Sequence, residues 1–370
     1  MTEKNIPVNF LRGVPAKEAI EKIIPMAAEG YKNAISKYGA DVLQYGHFGG
    51  FKPLREILGK LHNVEPDRII VGNGGLEVIS LFLKSLPQHS TVIVEEATYD
   101  RVALDIRQYG HKVLGVEMTS EGVDLDDFKK LLSQCSGNTV FYGIPFHQNP
   151  SGTNYSDENR EDVEKICRQN NVTCSWDVCY EDLRYDGKTN TPFEVSDTGP
   201  VLFSSFTKTI SPGTKCGYIV APKQMINHIT GVIANTRINP NLPTQAFIAD
   251  FITSGNYDEF LNFLKELYKP RMDALNRALG SHFPEIQADI TGGFFSGIYF
   301  REVTPEKEEV FIKSVEEAGV NISSSKNVFA PNIQEKNAGK GFFVRLTFPA
   351  LEPDMIEKGI ATLKQVELKI

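Results

Sequence analysis

From Arg68 to Trp176 the chain alternates short apolar runs with helix-length amphipathic segments, and few folds accept that rhythm. The runs at 68–72, 91–95, 112–116, 139–144 and 172–176 are β-branched and aromatic, and each is the length of a buried strand. Between them, 76–86, 100–109, 125–132 and 156–169 read as helices, the last opened by Ser156 as an N-cap. Short apolar strands joined by helices predict a mostly parallel sheet covered on both faces. In such a sheet ligands sit beyond the carboxyl ends of the strands.

Two further apolar runs, 201–206 and 217–221, close this part of the chain. Helices then dominate from 224 to 279, including a long one near 257–279 suited to linking two lobes. A smaller α+β unit follows, with strands at 293–300 and 342–348 and helices at 306–318 and 354–363. Ahead of the rhythm lie an irregular apolar arm at 9–15, a helix at 20–35, a glycine-rich turn at 43–51 and a helix at 54–61. At 370 residues the chain is long enough for two lobes. The expected fold class is α/β: a three-layer α/β/α large domain plus a smaller α+β domain. Its expected parts are 1–42, an arm and helix packing with the small domain; 43–265, the large domain; and 266–370, the small domain.

The formal net charge of −8 argues against general affinity for nucleic acid or membranes. No apolar run reaches the length of a membrane span, and the N-terminus lacks a basic-then-apolar leader pattern. Five scattered cysteines with no CxxC pair read as thiols in a reducing cytoplasm. Seven histidines form no HExxH-like cluster, so no metal site is expected.

Five stretches carry chemistry, and all fall at predicted strand ends. After 201–206 comes Lys208, flanked by Ser205 and Thr207 and followed by Pro212-Gly213. A lysine desolvated there sheds its proton more readily, and its neutral amine suits Schiff-base chemistry with an aldehyde. Alone, a lysine after a strand is usually just solvated. Gly72-Asn73-Gly74-Gly75 lies between a strand and a helix, where free amides bind anions; it is equally a tight turn, and not a nucleotide loop. Tyr99 follows another strand and suits stacking on a flat ring or ordinary packing. Gln148-Asn149-Pro150-Ser151-Gly152 is a turn whose asparagine amide can bond a phenolic oxygen. Asp177, with Tyr180 three residues on, sets a carboxylate at a buried strand end, where a protonated pyridine would partner it. The alternative is a helix-capping aspartate.

In this order the five stretches resemble the fold-type-I pyridoxal-phosphate aminotransferases of the aspartate aminotransferase superfamily. Gln148-Asn149-Pro150-Ser151-Gly152, the run from Tyr180 to Gly187 and the run from Ser205 to Gly213 look most like its kynurenine/2-aminoadipate branch. The likeness runs from Asn9 to the strand carrying Arg345. It implies pyridoxal 5′-phosphate as cofactor, L-amino acids and 2-oxo acids as substrates, and ping-pong transamination through a Schiff base at Lys208. It implies that Asp177 pairs with the pyridinium, that Asn149 and Tyr180 hold the phenolic oxygen and that Tyr99 stacks on the ring. Gly74, Gly75, Leu76, Ser205 and Lys215 would hold the phosphate, joined by Tyr45 from the partner of a homodimer. Arg345 would clamp the substrate carboxylate, beside Asn149, Gly13 and Arg12.

Several positions depart from the family pattern. Lys215 stands where arginine is usual, Gly75-Leu76 replaces a small-residue/glutamine pair, and Arg12 takes a glycine's place beside the substrate pocket. Arg12 is therefore read either as a reader of a distal carboxylate or as a surface arginine. The cofactor motifs do not separate transamination from oxidation, elimination or decarboxylation on the same scaffold. A third reading, the ligand-sensing domain of a regulator, is disfavoured by the acidic charge and by an N-terminus that begins almost at the arm.

Overall fold

The protein is described by a computed structural model covering residues 8–284, 289–324, 326–333 and 341–369. Its centre is a seven-stranded sheet. The strands are β2 (Ile69–Gly72), β3 (Thr91–Glu95), β4 (Lys112–Val116), β7 (Thr139–Gly143), β8 (Thr173–Asp177), β9 (Val201–Ser205) and β10 (Gly217–Val220). Their spatial order is β2-β10-β9-β8-β7-β3-β4. Outside this sheet lie β1 (Val8–Asn9) and a short hairpin, β5 (Met118–Thr119) and β6 (Gly122–Val123), which follows β4 and which the apolar runs did not reveal.

Alternate residues of one strand feed two separate cores. Val71, Ile93, Phe141, Trp176, Leu202 and Val220 join one apolar cluster, while Ile70, Val92, Val94, Val140, Phe203 and Ile219 join another. The second core is completed by α4 (Gly75–Ser85), α5 (Asp100–Gln108) and α8 (Lys223–Thr236). The first takes in α6 (Leu125–Ser133), α7 (Asp157–Gln169) and α9 (Leu242–Thr253). Helix, sheet and helix therefore stack as three layers, because each strand is apolar on both faces. Ser156 caps α7 as the sequence indicated, its hydroxyl accepting from the Asn159 amide.

One strand runs against the rest. β10 pairs antiparallel with both β9 and β2, because only 206–216 separate it from β9 and no crossover helix intervenes. That short connection is the segment bearing Lys208. β3, β4, β7, β8 and β9 are parallel, and the chain order reverses between β3 and β7.

The long helix α10 (Asn256–His282) leads into an antiparallel pair, β11 (Phe295–Phe300) and β13 (Phe342–Thr347), backed by α11 (Glu308–Glu317) and α12 (Pro353–Glu367). The N-terminal arm divides its contacts. β1 (Val8–Asn9) pairs in parallel with β12 (Val320–Asn321), whereas α1 (Lys17–Tyr38) lies on α9. Tyr31 stacks on Phe247 at 4.5 Å, and a side chain at Gly30 would strike that ring. The two parts of the arm thus meet different partners, β1 pairing with β12 and the apolar face of α1 meeting α9.

Candidate active site

Five strand ends and the β13 arginine meet in one cavity of about 490 Å³ at the carboxyl edge of the sheet. It is lined by Arg12, Gly13, Gly74, Gly75, Leu76, Tyr99, Asn149, Asp177, Tyr180, Ser205, Lys208, Lys215 and Arg345. Tyr45 is the exception. It is 75% exposed and does not line the cavity.

The glycine turn is shaped by close approach. Gly74 has φ of 118° and precedes the first turn of α4, so the helix N-terminus opens into the cavity. A Cβ on Gly217 of β10 would lie 2.5 Å from the Gly74 carbonyl carbon, and one on Gly75 would press on Ser205 and Cys179 at 3.2–3.3 Å. A Cβ on Gly74 itself would meet nothing within 4 Å. There is thus an open, amide-lined hollow beside the Ser205, Thr207 and Lys215 side chains. Behind it, Glu77 accepts from the Asn73 amide and from Arg237, whose guanidinium also donates to the Phe48 and Val71 carbonyls.

Asp177 ends β8 and is buried. Its Oδ2 accepts from the Tyr142 hydroxyl at 2.8 Å and its Oδ1 from the Cys179 amide at 3.1 Å. Burial pushes this carboxyl up, against donors from Cys179 and Tyr142 and the charge of Lys208. The half-buried Lys208 amine donates to the Gly13 carbonyl at 3.3 Å and lies 5.7 Å from the Tyr180 ring centre. Desolvation lowers its pKa, helped by Arg345 and Lys215 and opposed by Cys179 and Asp177. Burial drives the Tyr180 phenol up, so it is a neutral hydroxyl, edge-on to Phe294 and Phe295. Arg345 spans the cavity floor, donating to Asn149 Oδ1 at 3.2 Å and to the Leu11 carbonyl at 3.1 Å, with Phe295 4.9 Å away.

The residues fit pyridoxal phosphate on their own chemistry. An amide-lined hollow with hydroxyls and a lysine takes a phosphate, a buried carboxylate takes a protonated ring nitrogen, and a desolvated amine takes an aldehyde. Sequence reasoning missed Tyr142, Cys179, Glu77 and the buried Glu95. Strand register would have pointed to Tyr142, which stands beside Ser175 on β8, two residues before Asp177. Among the described residues no His, Cys, Asp or Glu cluster fits a metal ion, and no helix is long and apolar enough to cross a membrane.

Residues 6–363 match the family described as aminotransferase class I and II. Aromatic-amino-acid aminotransferase 1 of Thermococcus litoralis is 25% identical over 77% of this chain and 71% of its own length. The 2-aminoadipate transaminase of Thermus thermophilus is 24% identical over 98% of this chain and 90% of its own. An uncharacterized HTH-type transcriptional regulator of Bacillus subtilis, YdfD, is 26% identical over 94% of this chain and 72% of its own. Among solved structures, the kynurenine aminotransferase of Pyrococcus horikoshii superimposes with a TM-score of 0.87 at 22% identity, covering 99% of this chain and 92% of that one.

Proposed function

The chain belongs to the class I and II aminotransferases, which are pyridoxal-phosphate-dependent transaminases, and on that premise we propose which of its residues carry the two half-reactions. The observation that carries the proposal is the meeting of Lys208, Asp177, Tyr180, Asn149 and Arg345 in one cavity. Bound there, pyridoxal phosphate supplies an aldehyde carbon to receive the amino group and a ring that withdraws electrons. Gly74, Gly75, Leu76, Ser205 and Lys215 would hold the phosphate, and Tyr99 would stack on the ring. Asp177 keeps a proton on the ring nitrogen. Asn149, whose Oδ1 is taken by Arg345, turns its amide donor to the ring oxygen together with Tyr180. Lys208 would bind the aldehyde through its amine and would move the proton at the substrate's α-carbon. Arg345 binds the substrate carboxylate through its planar fork.

Tyr45 completes the phosphate site of a second copy in a homodimer. Support comes from its exposure together with Leu43 and Ile238, on segments joined by the Gly46 amide and Asn239. Five unpaired cysteines support a cytoplasmic setting. The divisions at 42–43 and 265–266 belong to the same proposal. Gly13 lines the substrate side of the cavity, and Arg12, exposed at its mouth, reads a distal carboxylate. In Arg12→Ala, dicarboxylic donors lose rate while neutral donors keep it; equal losses would remove that role.

The test is a visible spectrum of the cofactor-loaded protein, titrated without oxygen with a panel of L-amino acids. A yellow band converted to the pyridoxamine form, and restored by a 2-oxo acid, supports transamination. A band that no amino acid alters would overturn it and favour a sensing role.

A further inference from the structure

Glu95 ends β3 at the point where the strand order reverses, and it is 0% exposed. None of the site chemistry described above uses it. Its Oε1 accepts from the Ile144 amide at 2.8 Å and the Tyr155 hydroxyl at 3.0 Å. Its Oε2 accepts from Gln148 Nε2 at 2.7 Å and the Thr98 hydroxyl at 3.2 Å. These donors come from both sides of the crevice. Thr98 immediately precedes Tyr99, while Ile144 and Gln148 lie on the loop after β7 that leads directly into Asn149. Gln148 extends the bridge, donating to the Ala97 carbonyl at 2.7 Å and accepting from the Ser151 amide at 2.8 Å.

We propose that Glu95 is a positioning residue for the transamination site, its carboxylate bolting the turn that carries Tyr99 to the loop that carries Asn149. This rests on the roles proposed above for those two residues. The chemistry favours a carboxylate here and nothing neutral. Two of the donors, the Ile144 N–H and the Gln148 Nε2 group, cannot accept, and a carboxylate offers the acceptor sites for all four. An amide in its place would turn an N–H₂ against one of them, leaving buried donors face to face.

The bolt also titrates. Burial pushes the Glu95 carboxyl up to about 7, while Ile144, Gln148, Tyr155 and Thr98 pull it back. The titratable groups facing it are Tyr155, beyond the loop, and Tyr142 on β7; burial raises both phenols first, and Glu95's own charge raises them further. Neither phenol titrates where Glu95 does. Protonation as pH falls through about 7 therefore weakens the bolt without help from its neighbours.

The experiment measures affinity for pyridoxamine phosphate, which forms no covalent link to Lys208, from pH 6 to 8 in the wild type, Glu95→Gln and Tyr155→Phe. Glu95→Gln is expected to bind about tenfold more weakly at pH 8. The ratio of wild-type to variant affinity cancels the ligand's own titration, and it should fall toward one as pH drops below 7. Tyr155→Phe removes one donor, so its acid limb should move to higher pH; this mild variant carries the test if Glu95→Gln does not fold. Exchange of the pair, Glu95→Gln with Gln148→Glu, restores a carboxylate–amide contact and should recover part of the loss. A folded Glu95→Gln with unchanged affinity, or a ratio that ignores pH, overturns the positioning role. Wild-type protein that binds no pyridoxamine phosphate overturns the transaminase assignment of the site instead, and the bolt with it.

Discussion

Arg345 on β13 donates to Asn149 Oδ1, on the loop after β7, across 3.2 Å. The contact joins the small antiparallel pair to the main sheet at the cavity floor. It also ties the group proposed to bind the substrate carboxylate to the group proposed to hold the cofactor's ring oxygen. On those proposed roles, one hydrogen bond would set the spacing between substrate and ring.

Replacing Arg345 with lysine keeps the charge but loses the fork and the Asn149 contact. Two charge-assisted hydrogen bonds are at stake, so kcat/KM for the best amino donor should fall about 10²- to 10³-fold. Steady-state kinetics should place most of the loss in KM, with the pyridoxamine phosphate affinity falling less.

Tyr142→Phe removes a 2.8 Å donor to Asp177. Asp177 acts as an anion, and burial already raises its pKa while Tyr142 helps to hold it down. Removing that donor raises the pKa further, so the acid limb of kcat/KM should move to higher pH. The loss of activity should therefore be larger toward acid pH than toward alkaline pH.

Gly217→Ala sets a methyl group 2.5 Å from the backbone of Gly74. Neither strand nor turn has a flexible end to yield, so the phosphate hollow must shift. Cofactor affinity should fall at least tenfold and the melting temperature should drop. Gly75→Ala meets only Cys179 and Ser205 at 3.2–3.3 Å and should be milder in both measurements.

His147 is buried against Gly292 and Gly293, and burial holds its ring pKa at about 3. Its unfolded value is about 6.5, so the unfolded chain takes up a proton first as pH falls. The stability tied to the neutral ring is therefore complete above pH 6.5 and drains away toward pH 3. His147→Asn tolerates the positive φ of 50° and should flatten the fall of melting temperature over that window. His62, pushed down to about 4 by burial, acts with the same sign and should leave a residual slope.

The main sheet was legible because its strands are buried on both faces. Runs such as Thr91–Glu95 and Thr139–Gly143 carry almost no polar interruption, and the boundaries expected from composition agree with the observed ones to within a residue. The two-residue strands β1, β5, β6 and β12 escaped notice because so short a pairing leaves no periodicity. Site residues were legible where a strand end combined a functional group with turn chemistry, as at Asn149, Asp177 and Lys208. Tyr142 and Glu95 were not, since a tyrosine or a terminal glutamate in an apolar run looks like ordinary strand.

Local sequence determined the α/β alternation, the turns at the carboxyl edge and the chemical types waiting there, because backbone propensity and burial pattern act over a few residues. Only the tertiary structure decided that α1 rides on α9 and that Arg345 reaches Asn149 across 196 positions of chain. It also decided that Glu95 gathers four donors from two sides of a crevice. Such contacts depend on strand order and on which face of a strand meets which core. Those are properties of the packed whole, and no short window of residues encodes them.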